Sequence, residues 1–176
     1  DLLEKSPRLP RALLISPPNP DLNRTLNRNP DRNPALMNLE LKFDCANVDW
    51  AFVSETLRRV GMASRPPELL QKAFAASAVV VFAYADGQPV GFGRAISDGA
   101  YQAAVYEMAV VPEFQRQGLG ARIMQAILDR LPGYNVILYA SPGKEDFYRK
   151  LSFRRMKTGM ARFQRPDAMA QKGFTE

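Results

Sequence analysis

The chain has 176 residues, room for one ordinary domain with a remainder, and its 46% hydrophobic and 24% charged residues are those of a globular protein. No apolar run approaches the ~20 residues that cross a membrane, and the single cysteine, Cys45, excludes an internal disulfide framework. A net charge of +6 favours anionic partners without choosing among phosphate-bearing cofactors, nucleic acid and acidic surfaces, while the lack of histidine excludes Ser-His-Asp and Cys-His catalysis and argues against a zinc enzyme.

Residues 1–34 carry seven of the fourteen prolines and no aromatic residue. Proline removes backbone donors and disfavours helix in the residue before it, so the segment predicts an extended, irregular arm. Its Asn/Arg repetition leaves contact with nucleic acid as one alternative use.

From residue 35 the chain becomes orderly. "LMNLELKFDC" alternates as a strand does, placing Leu39, Leu41 and Phe43 on one face. Asp49 then caps a helix whose stripe is Trp50, Val53, Leu57 and Val60 and whose end is Gly61. "SRPPELLQKAFAAS" predicts a second helix opened by proline. A three-strand meander follows, with turns at Asp86-Gly87 and Asp98-Gly99. Gly91 and Gly93 inside its second strand imply a close backbone approach or a bulge.

"VVPEFQRQGLGARIMQAILDRL", residues 110–131, puts two glycines and three long polar side chains before an amphipathic helix. A helix start presents unpaired N–H groups and partial positive charge, so anions are stabilised there. Gly118 and Gly120 lack Cβ, which lets a bulky diphosphate approach the backbone, and Gln115, Arg116 and Gln117 can add donors. A tight turn with close helix packing is the ordinary alternative. The chain then reads as a short strand "YNVILYA", a short helix "KEDFYRKLS", and a closing hairpin that turns near Thr158-Gly159. The expected order is β-α-α-β-β-β-α-β-α-β-β. One strand–helix–strand crossover makes two strands parallel, giving an α/β protein with a mixed, mostly antiparallel sheet flanked by helices.

Gln115-x-x-Gly118-x-Gly120 after Val110-Val111-Pro112, with "LYASPGKEDFYRKLSFRRM" downstream, resembles the signature of the GNAT superfamily of N-acetyltransferases. The resemblance covers about residues 39–164 and leaves the arm outside an N-acetyltransferase domain of residues 35–176. It implies an acyl-CoA N-acyltransferase fold and a soluble, cytoplasmic enzyme that moves an acetyl group from acetyl-CoA directly to a primary amine, on a small molecule or a protein, with no metal. A homodimer is the assembly that it and the arm favour. The backbone of Met108, Ala109 and Val110 would run beside the pantetheine arm. Gln115, Arg116, Gln117, Gly118, Leu119, Gly120 and Ala121 would bind the diphosphate. Tyr148 would protonate the departing thiolate. Glu107, on the face expected to hold Val105 and Ala109, is the candidate base, with Tyr139 second and water a further possibility. Where the family has glycine this chain has Ser152. A silent acyl-CoA sensor is the alternative to an enzyme. The acceptor is left open, since Asp98, Glu107, Glu145 and Asp146 could each receive an ammonium group.

Overall fold

The apolar run "VVVFAYA" becomes strand β2 (Val79–Ala85), buried along almost its whole length. Val79, Val81, Ala83 and Ala85 join one core cluster, while Val80 and Phe82 join another. A strand covered on both faces needs no polar alternation, which is why the run is continuous. The structure is a computed structural model that describes residues 38–176; the irregular arm expected over residues 1–34 lies outside the described residues.

Five strands lie in the order β1-β2-β3-β4-β5: β1 (Leu39–Lys42), β2, β3 (Gln88–Ser97), β4 (Gln102–Val110) and β5 (Asn135–Ile137). The first three pairings are antiparallel and the last is parallel. Helices α1 (Trp50–Arg59) and α2 (Pro67–Ala75) pack Val53, Leu57, Leu70 and Phe74 on one face. Helix α3 (Leu119–Leu128) packs Leu119, Ile123, Met124 and Ile127 on the other. Short helices α4 (Glu145–Arg149) and α5 (Pro166–Gln171) complete the chain. The expected mixed sheet flanked by helices is therefore what the residues form.

Local chemistry accounts for the boundaries. Asp49 caps α1 by accepting from the Phe52 amide at 3.0 Å, and Asp86 and Gly87 both take positive φ, as a two-residue type I′ hairpin requires. A Cβ on Gly91 would lie 2.9 Å from Ile123 Cδ1, so that glycine lets α3 settle on β3. Leu39 and Leu41 face the core as expected. Phe43 does not: it falls beyond β1, partly exposed, beneath the Arg130 guanidinium.

The closing hairpin expected near Thr158-Gly159 does not form; residues 153–164 run without strand pairing. Neither Thr158 nor Gly159 takes positive φ, so no primed turn aligns two strands. The segment also lacks an apolar face to bury: Met156 and Met160 are exposed, Met160 to 96%. A two-stranded ribbon with nothing to pack against is marginal in water. β5 is correspondingly shorter than "YNVILYA" suggested.

Helix α4 ends in a Schellman motif. The Phe153 amide donates to Tyr148 O at 3.1 Å and the Ser152 amide to Arg149 O at 3.1 Å, with Phe153 stacked edge-on to Tyr148. The same motif ends α1 at Gly61, φ 77°. Here the left-handed position is Ser152, φ 68°, where a Cβ costs about 1 kcal/mol relative to glycine. Ser152→Gly is expected to raise the midpoint of thermal unfolding by roughly 2–4 °C. Differential scanning calorimetry checks this, and an unchanged or lower midpoint contradicts it.

Candidate active site

The site begins where β4 and β5 part. They pair only through Gln102–Asn135, Ala103–Val136 and Ala104–Ile137. Among the described residues, no strand pairs with that edge of β4 beyond Ala104, because β5 ends at Ile137. Within the open stretch β4 carries a bulge: Phe92 pairs with Ala109 and Arg94 with Tyr106, so Gly93 alone faces Glu107 and Met108. Glu107 takes φ 43°, left-handed for a non-glycine residue.

One inserted residue reverses the facing of everything after it. Val105 packs in the α3-side core and Ala109 in the α1/α2-side core, although four residues apart in an unbroken strand they would share a face. This corrects the expected position of Glu107. It turns toward the α1/α2 side and forms an ion pair with Arg94 Nε. Arg94 Nη1 also reaches Ser77 Oγ at 3.1 Å, and its guanidinium lies over the rings of Phe74 and Tyr106. The carboxylate is thus part of a mostly buried polar network beside Tyr106.

On the α3 face the loop before the helix takes an anion-binding shape. Arg116 and Gly118 both adopt left-handed φ, 60° and 82°, and such turns gather backbone N–H groups into a concavity. The first helical bond of α3 runs from the Arg122 amide to Gly118 O, so the amides of Leu119, Gly120 and Ala121 precede it. Gly118 offers no capping side chain. Asp49 accepts from the first turn of α1, whereas α3 has no side-chain cap.

The two glycines play different parts. A Cβ on Gly118 would meet nothing within 4 Å, so its positive φ is what requires glycine. A Cβ on Gly120 would touch Phe147 of α4 at 3.4 Å, so its bareness faces the packed helix and not, as expected, a diphosphate. The glutamines brace the loop. Gln115 Nε2 donates to Val110 O at 2.9 Å and Gln117 Nε2 to Glu113 O at 2.8 Å. Glu113 is held by Arg59 of α1. Among the described residues, Gln117 Oε1 is the one buried side-chain oxygen with no hydrogen-bond partner.

These features fit a coenzyme A molecule. The loop 115–121 holds a cation, backbone donors and the positive end of a helix, with no carboxylate. The ligand's amide and hydroxyl groups could satisfy the orphaned Gln117 oxygen.

Tyr148 lies in α4, on the α3 side of the sheet. Its ring contacts Phe147 at 5.0 Å and Phe153 at 6.0 Å between centroids, and burial raises its phenol above the ordinary 10.0. It lines a cavity of about 170 Å³ with Val136, Leu138, Glu145 and Arg149. None of residues 108–110 or 115–121 lines that cavity. Burial chiefly, then the neighbouring Tyr106 and Glu107, push the Tyr139 phenol up as well. Burial also raises the Cys45 thiol, with Asp44 adding to it, as suits an inert small side chain.

A mixed sheet with a splayed parallel pair and an uncapped helix start beside it is an acyltransferase-like α/β architecture. Residues 62–163 match the profile of the acetyltransferase (GNAT) domain, and the chain belongs to that family. It is 33% identical over 130 residues to serotonin N-acetyltransferase 2, chloroplastic, of Oryza sativa subsp. japonica, a match covering 70% of this chain and 65% of that protein. It is 27% identical over 114 residues to the uncharacterized N-acetyltransferase ycf52 of Pyropia yezoensis, covering 61% and 66%. The chain thus spans just under two thirds of these relatives' length. A GNAT family acetyltransferase from Streptococcus pneumoniae superposes with TM-score 0.62 at 28% identity, over 72% of this chain and 98% of that one. The ribosomal-protein-S18-alanine N-acetyltransferase of Escherichia coli shares the fold at 18% identity and TM-score 0.58, over 68% and 79%.

Proposed function

We propose that the chain transfers an acetyl group from acetyl-CoA to a primary amine by direct attack. The observation that carries this is the uncapped, left-handed start of α3 beside the unpaired edge of β4. Members of the family use acetyl-CoA and act on amine acceptors. In this reading the amides of Leu119, Gly120 and Ala121, with Gln115, Arg116, Gln117 and Gly118 shaping the loop, hold the diphosphate. The open edge at Met108, Ala109 and Val110 pairs with the pantetheine arm. Bound acetyl-CoA supplies an acyl thioester already activated toward amines.

The residues of the chain then do three things. Glu107 faces the incoming ammonium group and takes its proton, directly or through water, with Arg94 fixing the carboxylate. The Val110 amide polarises the carbonyl oxygen. Tyr148 holds a proton for the sulfur that leaves. Orientation and amide polarisation supply most of the acceleration. Cytoplasmic placement and a homodimer stay as proposals from the sequence; the Oryza sativa relative is named as chloroplastic.

Release of free thiol from acetyl-CoA across a panel of amines tests the reading. Turnover on at least one amine is expected; tight acetyl-CoA binding with no turnover on any would favour the silent sensor. The raised Tyr148 phenol adds a pH prediction. A group whose pKa is raised stays protonated beyond its ordinary value, so the acid remains competent through neutral and mildly alkaline pH. The midpoint of any descending limb of kcat set by this acid is expected to lie above the ordinary tyrosine value of 10.0. A descending limb near neutrality would remove Tyr148 as the acid.

A further inference from the structure

The chain after Tyr148 carries charge that the donor site does not use. Seven cations and no acidic residue fall between Phe147 and Pro166, and all seven side chains are exposed. Arg149 pairs with Asp146. Among the described residues the other six form no ion pair. On a strand such a row would be the solvated face of a sheet, but residues 153–164 run without strand pairing. Like charges gathered in one segment repel, and an anionic partner relieves that repulsion.

Apolar features among the cations narrow the choice of anion. Arg154 and Arg155 join Arg149 at the cavity of about 170 Å³ walled by Val136, Leu138 and Phe153, where Glu145 is the one carboxylate among the lining residues. At the other end of the segment Phe163, flanked in the chain by Arg162 and Arg165, packs on Tyr139 at 5.8 Å. Tyr106 and Phe174 hold the same ring at 6.0 Å and 5.7 Å, yet Tyr139 stays 54% exposed. An acidic peptide would answer the cations and leave the exposed ring without a role. A single-stranded nucleic acid answers both, with phosphates for the cations and flat bases that stack on aromatic faces. Five of the seven cations are arginine, whose planar fork binds phosphate through two hydrogen bonds. A duplex keeps its bases stacked on one another and has none to spare for Tyr139.

We propose that residues 149–165, with the exposed ring of Tyr139, form a docking surface for single-stranded nucleic acid. Phosphates lie against Arg154, Arg155, Lys157, Arg162 and Arg165, and a base stacks on Tyr139. None of these residues belongs to the loop 115–121, and the docking stands whether or not the chain transfers an acetyl group.

Fluorescence anisotropy of labelled oligouridine and oligothymidine with the full chain tests this, beside a duplex of equal length and a polyglutamate peptide. One or both single strands are expected to bind more tightly than the duplex and the peptide. The logarithm of affinity should fall with that of salt concentration, with a slope of about −0.7 per phosphate contacted. The triple variant Arg154→Glu, Arg155→Glu, Lys157→Glu should lose at least roughly tenfold in affinity and flatten that slope, with acetyl-CoA affinity and circular dichroism unchanged. Tyr139→Ala should weaken the single strand roughly tenfold, whereas Tyr139→Phe keeps the ring and the affinity. No binding at low salt, or equal or tighter capture of the duplex or of polyglutamate, would overturn the proposal. Wild-type affinity in the folded triple variant or in Tyr139→Ala would overturn it as well, by placing the contact elsewhere on the chain.

Discussion

Replacing Gly118 with valine is expected to weaken acetyl-CoA binding about 100-fold while the sheet stays folded. At φ 82° this residue sits where a β-branched side chain is strained. A valine would drive the backbone out of the left-handed region and re-aim the amides of Leu119, Gly120 and Ala121. Its side chain would also enter space that nothing in the protein fills. Hydrogen bonds to a charged group contribute about 1.5–3 kcal/mol each, so losing one or two amounts to roughly two decades of affinity. The strain itself costs about 1–3 kcal/mol against a typical stability of about 5–15 kcal/mol, so the domain survives. Calorimetry for the affinity and far-ultraviolet circular dichroism for the fold check the two halves. Wild-type affinity in a folded variant would show that the helix start binds nothing. Gly120→Ala is the contrast: its Cβ meets Phe147 at an ordinary distance, so it packs without displacing the loop.

Tyr148→Phe is expected to lower kcat about 100-fold with acetyl-CoA affinity kept, the usual scale for losing a positioned acid. The ring would still contact Phe147 and Phe153, so helix α4 keeps its packing and only the hydroxyl is lost. Steady-state kinetics with a saturating amine reads the change. An unaltered kcat would reduce Tyr148 to a packing residue and leave water to protonate the sulfur.

What could be read in the sequence was local. Asp49 as a cap, Asp86-Gly87 as a turn and Gly118 before α3 each act within a few residues, and each appears where the chain implied. Ser152 was legible only through the resemblance, since glycine is the family's residue where this chain holds serine at φ 68°. The bulge at Glu107 was harder. Its trace is a change of parity, with Ala103 and Val105 facing α3 before it and Met108 and Val110 after it. Ala109 masks that trace, being apolar and buried against the other helices. Tyr106, Tyr139, Phe163 and Phe174 lie too far apart in sequence for any spacing rule to join them. The C-terminal hairpin failed for a related reason. Alternating residues at 153–164 looked like a strand, but no apolar face lay opposite to hold it. Its aromatic residues dock singly instead, Phe153 on Tyr148 and Phe163 on Tyr139.

The central claim, that the amides opening α3 grip the diphosphate, is tested most directly by amide chemical shifts on titration with acetyl-CoA. The backbone N–H signals of Gly118, Leu119, Gly120 and Ala121 are expected to move downfield together and to saturate with the affinity measured by calorimetry, while those of β1 stay in place. Saturation of binding with these four signals unmoved would contradict the account.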